Sequence, residues 1–322
     1  MKKRIASVLM AAGLTLAPGA SQAQSYPVKP VRLLTVLTAG TDTYIRVLGT
    51  KLADIWGQPV IVDNRPGAAG VLAVQGVTSA APDGHTLLVH GSAYLISKAV
   101  QPGLAIDPVN ELAPAAQIYS AGPIALLVGG GSSARNVEDL VDRLKATPGK
   151  MNYGSAGVGL IHHLGGELFL KATQTQALHI PFKGPDLYTA VIRGEVDFTV
   201  SPLTVIMPLV KAGKMRVLAT MNAGRMRELP EVRTLNELYK NELLVMEFWT
   251  GLAAPVKTPV PVLRAIHAAT VKALEDPVVR NSIEVGLNTP TPDVSMEAFA
   301  AFVRRENDKL REIVKLTGLK AE

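Results

Sequence analysis

The run Asn152-Tyr153-Gly154-Ser155-Ala156-Gly157-Val158-Gly159-Leu160-Ile161-His162-His163 constrains this chain more than any other stretch. A short strand feeds a glycine-rich turn, and the turn opens a helix whose Leu164 and Leu168, with Ile161 and Phe169, face a core. Glycines at 154, 157 and 159 let the backbone take positive φ and come close to a ligand, while the helix supplies unpaired N–H groups and the positive end of its dipole. Two readings stand side by side. In one, the N–H groups of Ser155, Ala156 and Gly157 cradle an anion, with the Ser155 hydroxyl adding a hydrogen bond; in the other, the glycines only make a tight turn.

The same strand-turn-helix unit recurs along the chain. Val31 to Leu37 is an apolar, β-branched run suited to a buried parallel strand, and Leu48, Leu52 and Ile55 give the next helix a buried stripe. Between them lies Thr38-Ala39-Gly40-Thr41-Asp42, a second turn that presents N–H groups, with Thr41 or Asp42 as its N-cap. Strands at 59–62 and 86–90 flank a helix over 68–80, and Ser92 stands just past the third strand, where an open sheet places ligand contacts and where a serine also caps helices. The pattern repeats after Ala121: strands at 124–128, 177–180 and 196–200 alternate with helices, one capped by Asn136 and one by Ser201 with Pro202 at its first position. Residues 247–254 read as a crossing strand. The remainder is mostly helical, with caps at Thr258-Pro259 and Ser295, and must lay its apolar faces on an existing sheet.

Lys2, Lys3 and Arg4, the apolar stretch Ile5 to Leu16 and Ser21-Gln22-Ala23 form an export signal with a mature start at Gln24. Its removal takes the net charge from +6 to +3, a mild excess that suits anionic small molecules and gives no argument for nucleic acid. The sequence has no cysteine, which excludes disulfides, thiolate metal sites, cysteine nucleophiles and a lipidated cysteine anchor.

Five motifs in order, Asn64-Arg65-Pro66-Gly67-Ala68-Ala69-Gly70, Pro82-Asp83-Gly84-His85-Thr86, the glycine loop, His179-Ile180-Pro181-Phe182-Lys183-Gly184 and Trp249-Thr250-Gly251-Leu252-Ala253-Ala254-Pro255, resemble the extracytoplasmic solute receptors of tripartite tricarboxylate transporters, the Bug family. The resemblance runs from about Tyr26 to the C-terminus. It implies an α/β periplasmic binding protein of type II, a Venus flytrap with a ligand cleft between two lobes. One lobe would be built from 24–121 plus 250–322 and the other from 122–249, with a hinge near Ala121 and Trp249. It also implies a monomer that passes a small carboxylate to membrane permease subunits, without cofactor. The site expected from residues and resemblance together comprises Thr38, Ala39, Gly40, Thr41 and Asp42 on the first turn and Ser92 on the third strand. Ser155, Ala156, Gly157, His163, Lys183 and Ser201 complete it from the second lobe. The first turn departs from the family pattern, being about two residues shorter and holding one glycine.

Other chemistry is less well supported. His163 and Glu167 lie four apart on one helical face, but a zinc site needs a third ligand and no His-Glu-x-x-His pattern is present. Gly154-Ser155-Ala156-Gly157 is not the Gly-x-Ser-x-Gly of a serine hydrolase. Asp197 suits a turn or a ligand contact, and Arg65 suits pairing with a surface acid. A signalling receptor of the same fold, and an enzyme using His163 as a base, remain as alternatives to a transport receptor.

Overall fold

The computed structural model describes residues 26–36, 42–65, 70–184 and 186–319. The export segment and the ligand contacts expected at Thr38, Ala39, Gly40 and Thr41 lie outside them. In chain order the elements begin β1 (Val31–Thr35), α1 (Thr43–Trp56), β2 (Val60–Asn64), α2 (Val71–Thr78), β3 (Thr86–Gly91) and α3 (Ser92–Val100). β1 pairs in parallel with both β2 and β3, as its apolar run requires of a strand covered on both faces. α1 buries Ile45, Leu48 and Leu52 and stops at Gly57, whose left-handed φ of 63° lets its N–H close on the Ala53 carbonyl.

A long strand not anticipated from the sequence, β4 (Leu112–Gly122), then leads through Pro123 directly into β5 (Ile124–Gly129). There follow α4 (Val137–Ala146), β6 (Asn152–Ser155), α5 (Ile161–Thr173), β7 (Leu178–Pro181), α6 (Asp186–Arg193), β8 (Phe198–Pro202), α7 (Leu203–Lys211) and β9 (Met215–Thr220). After α8 (Leu235–Tyr239) the chain returns along β10 (Phe248–Pro255) and ends with α9 (Val260–Leu274), α10 (Pro277–Glu284), β11 (Thr289–Pro290) and α11 (Met296–Thr317). Asn136 and Ser295 cap α4 and α11 as expected, accepting from the N–H groups of Asp139 and Ala298. Two expected caps fail. β8 runs on through Pro202, so Pro202 rather than Ser201 stands at the cap of α7; and α9 is preceded by Pro259, with no side-chain cap from Thr258.

Two sheets result, ordered β11-β4-β10-β3-β1-β2 and β7-β6-β8-β5-β9. Their registers fix which edges meet. β4 runs the same way as β3, since both are antiparallel to β10, and its C-terminal end passes into the second sheet. There the start of β5 lies opposite the end of β8, with Ile124 paired to Pro202. The C-terminal edges of the parallel strands in both sheets therefore lie toward the crossing, which is where an open α/β sheet binds ligands. A cluster of buried side chains joins the two layers. Leu95 and Ile96 of α3, Trp249 of β10, Phe299 and Val303 of α11, and Ile161, Leu164 and Leu168 of α5 all belong to it. Among the described residues no helix is long and apolar enough to cross a membrane.

Candidate functional site

The glycine loop is set by what packs beneath it. Tyr153 of β6 pairs in register with His179 of β7 and Phe198 of β8, so three aromatic side chains stand side by side on one face. Their centroids are 5.0 Å (Tyr153–His179) and 5.5 Å (Tyr153–Phe198) apart, spacings at which aromatic rings attract. His163, from the first turn of α5, stacks on His179 at 3.7 Å and 10°. The Tyr153 hydroxyl donates to Glu167 Oε1 at 2.6 Å, and burial together with that carboxylate raises its pKa.

Ser155 lies two residues beyond Tyr153 on the same face and is fully buried. Its Oγ sits 2.7 Å from His179 Nε2, accepts from the Gly157 N–H at 3.2 Å and lies 3.1 Å from the Gly157 carbonyl. A hydroxyl has one proton and two lone pairs, so all three contacts are met if His179 carries its proton on Nε2 and Ser155 donates to Gly157. The Ser155 hydroxyl and the Gly157 N–H, both expected to meet a ligand, are here hydrogen-bonded to each other inside the loop. The Gly159 N–H, in turn, is held by His163 Nδ1 at 3.2 Å. What remains is the start of α5. Its first helical bond runs from Leu164 to Leu160, leaving the N–H groups of Val158, Ile161 and His162 without a partner among the described residues. Gly157 and Gly159 have φ of 147° and 75°, so here the glycines are required by the backbone.

The facing edge offers Ser92. It is the first residue of α3 and not its cap, the cap position belonging to Gly91; the residue is 5% exposed, and its buried Oγ has no partner among the described residues. Beside it on β10 is Thr250; the hydroxyls of half-buried Tyr44 and buried Tyr119 lie 3.5 Å apart, and burial raises both pKa values. His90 and Trp249 meet edge to face at 5.1 Å with their ring nitrogens buried and unpartnered. Burial holds His90 at about 3 and His162 at about 4, so both are neutral at physiological pH. His163 is held at about 4, by burial first and by the neighbouring His179 second.

A family profile described as "Tripartite tricarboxylate transporter family receptor" matches residues 44–319. The chain belongs to that family. The receptor is 33% identical over 320 residues to the UPF0065 protein in the gbd 5' region of Cupriavidus necator, covering 98% of this chain and 95% of that one. A solved structure described as a periplasmic transporter superposes with TM-score 0.78 at 28% identity, covering 92% of this chain and 99% of that one. MatC from Rhodopseudomonas palustris, solved with bound malate, gives TM-score 0.76 at 26% identity over 90% of this chain and 100% of its own. The fold is thus that of a periplasmic binding protein of type II, and the family is one of solute receptors.

The expected site residues divide accordingly. Ser92, Ala156, Gly157, His163 and Lys183 lie on turns at the facing edges; Lys183 is exposed on the turn that the Phe182 N–H ties to the Ser155 carbonyl at 2.8 Å. Ala156 is partly buried against the core under α6 and α7. Ser201 is fully buried with its Oγ 3.1 Å from the Tyr188 hydroxyl. Asp42 is 1% exposed and its carboxylate binds Arg46 at 2.7 Å and Asn64 Nδ2 at 2.9 Å. Arg65 pairs with Asp63 at 3.2 Å as expected, and Asp197 accepts from the Asn152 N–H at 2.9 Å in a turn role. Glu167 serves Tyr153 and His163 stacks on His179, so the helical His-Glu pair does not converge on a metal. The Ser155–His179 contact has the length of a nucleophile–base pair, but the Ser155 hydroxyl is also engaged with the N–H and carbonyl of Gly157. Sequence reasoning missed Tyr44, Tyr119, Tyr153, His179 and Thr250. Tyr153, His179 and Thr250 stood in recognisable motifs, but nothing in those motifs gives the register that brings His179 to Ser155.

Proposed function

We propose that this receptor captures a small carboxylate between its two lobes in the periplasm and delivers it, unaltered, to the membrane subunits of a tripartite tricarboxylate transporter. The observation that carries this reading is the pairing of facing donors. The open N–H groups at the start of α5 lie on one edge, and the buried, unpartnered Ser92 hydroxyl lies on the other. A carboxylate accepts from both, and hydrogen bonds to a charged acceptor are about twice as strong as neutral ones. The malate held by MatC is the kind of ligand such an arrangement suits. Lobes of 24–121 plus 250–322 and 122–249, rotating about β4–β5 and β10, would let both edges share one ligand only when closed. An exported, monomeric mature chain starting at Gln24 completes the proposal.

A thermal-shift screen over mono-, di- and tricarboxylates, amino acids and aromatic acids tests it. A ligand at about 100 times its dissociation constant adds roughly 2.7 kcal/mol of stability, a readily measured rise in melting temperature. No shift with any carboxylate rules out the capture reading, and recovery of a chemically changed ligand would replace it with an enzyme.

A further inference from the structure

We propose that His90 and Trp249, beside Ser92, make the receptor selective for acids that carry a hydroxyl on the carbon next to the carboxylate. This rests on the reading of Ser92 as a carboxylate contact and narrows the substrate class of that site.

The three side chains share one face at the C-terminal end of β3. Gly91 is extended, with φ −167° and ψ 176°, so its neighbours His90 and Ser92 project to the same side. Across the ladder, β10 sets Gly251 opposite His90 and Thr250 opposite Gly91. Opposed residues share a face and successive ones alternate, so Trp249 stands on the His90 side and Thr250 on the other. The ring contact of His90 with Trp249, at 5.1 Å and 86°, agrees with this placement. More rings pack around the pair: Tyr94 lies 5.9 Å from His90, and Phe299 and Phe302 each lie 5.6 Å from Trp249.

The polar atoms of this face are unsatisfied. Both ring nitrogens of His90, Nε1 of Trp249 and Oγ of Ser92 are buried without a partner among the described residues, on residues 0%, 1% and 5% exposed. A buried polar group left unpaired costs stability and is uncommon, so His90, Trp249 and Ser92 side by side mark a place that a polar group of a ligand fills. No charged residue contributes to the setting of His90, which burial alone pushes toward its neutral form.

The balance of donors and acceptors selects the group that fits. The Trp249 indole only donates, and neutral His90 offers one donor and one acceptor. Ser92 donates to the carboxylate, which accepts only and cannot serve the open His90 nitrogen. A hydroxyl on the adjoining carbon stays close to the carboxylate and so within the neighbourhood of Ser92. It accepts from the Trp249 N–H and donates to His90. A keto group in that position accepts only and leaves the His90 acceptor bare. An ammonium group donates only, opposes the Trp249 N–H and buries a charge with no acid to meet it. A methylene satisfies neither side chain, and a site built around a substrate hydroxyl rejects analogues that lack it.

The test is isothermal titration of the purified protein, stripped of carried ligand by unfolding and refolding, with two matched series: lactate, pyruvate, alanine and propionate, then malate, oxaloacetate, aspartate and succinate. In a series that binds, the hydroxy acid is expected to bind at least about tenfold tighter than its unsubstituted counterpart, with the keto acid between them and the amino acid weakest. His90→Phe and Trp249→Phe are each expected to bring the hydroxy and unsubstituted acids to within about threefold of each other. The preference is a ratio measured within one variant, so a general loss of folding does not imitate its collapse. His90→Gln, which keeps a donor and an acceptor, should retain part of it. Equal or tighter binding of the unsubstituted acids by the parent protein overturns the inference and leaves the carboxylate receptor standing. An undiminished preference in both phenylalanine variants overturns the roles of His90 and Trp249. Binding of neither series removes the inference, and binding of no acid in the wider carboxylate screen removes the reading beneath it as well.

Discussion

Ser155→Ala separates what the glycine loop does in the folded protein from what it offers a ligand. In the cradle reading of the sequence the hydroxyl belongs to the ligand, and its loss would weaken binding while sparing the fold; in the turn reading its loss costs stability. The contacts in the structure favour a stability cost. Removing Oγ leaves His179 Nε2, the Gly157 N–H and the Gly157 carbonyl without their partner. Gly157 and His179 are half-buried, so water can reach part of this set. A buried polar group left unpaired costs about 1–3 kcal/mol, and with water making up some of the loss the expected destabilisation is about 2 kcal/mol. In a chain of this size that is a fall of roughly 3 °C in melting temperature, read by calorimetry on the unliganded protein. Affinity for a screened acid should fall too, because the loop no longer holds the first turn of α5 in one geometry. An unchanged melting temperature combined with a tenfold loss of affinity would refute the argument and return the hydroxyl to the ligand.

Further predictions follow from the same contacts. His90 and His162 are held near 3 and 4, below the ordinary 6.5, so the unfolded chain binds protons that the folded one excludes. Stability should therefore be full above about pH 6.5 and fall as pH drops toward 4, by about 3 kcal/mol for His162 alone; equal denaturation midpoints at pH 7 and pH 4.5 would contradict this. Gly166→Ala places a methyl group 2.4 Å from the Tyr153 ring, and should cost about 1–3 kcal/mol by displacing the central ring beneath the loop, measured by urea unfolding. Arg65→Ala loses only a half-exposed ion pair, and should change stability by less than about 1 kcal/mol with acid binding intact; a large loss of affinity would make Arg65 a ligand clamp.

The repeated strand-turn-helix units, the core face of α5 and the caps Asn136 and Ser295 were legible because each is written in local spacing. Side-chain period and capping chemistry act within one or two turns of chain. The parts that were not legible depend on register between distant strands. Ser155 points at His179 because β6 and β7 align Tyr153 with His179, and no spacing in either segment carries that information. β4 escaped notice because its sequence, Leu112-Ala113-Pro114-Ala115-Ala116, begins with small residues and a proline. Its strand character comes from pairing with β10 along almost its whole length. Ser201 was expected to cap a helix because serine before proline usually does. Pairing with β5 carries β8 two residues further, to Pro202, and the hydroxyl meets Tyr188 instead.

The alternation along β5 also bears on how the lobes can move. Ile124, Leu126 and Val128 face the cluster that continues through α5 and α11 into α3 and Trp249, whereas Ala125 and Leu127 face the separate cluster under α6 and α7. Packed interiors repack in discrete steps and do not stretch. On the first face, rotation of one sheet against the other would have to slide α5 along α11. On the second face far less holds the sheets together. Leu287, in the left-handed region at φ 58°, packs on the α6–α7 cluster, and the Thr204 hydroxyl donates to the Gly286 carbonyl at 2.8 Å. Opening should therefore swing about the α5–α11 side and part at this contact. Leu287→Ala removes most of the apolar surface there without touching the ligand edges. It should increase the radius of gyration of the unliganded receptor in small-angle scattering, and saturating acid should bring it back to the parent's value. An unliganded profile identical to the parent's would mean that the Leu287 contact does not hold the lobes, and that the continuous cluster on the other face sets their angle.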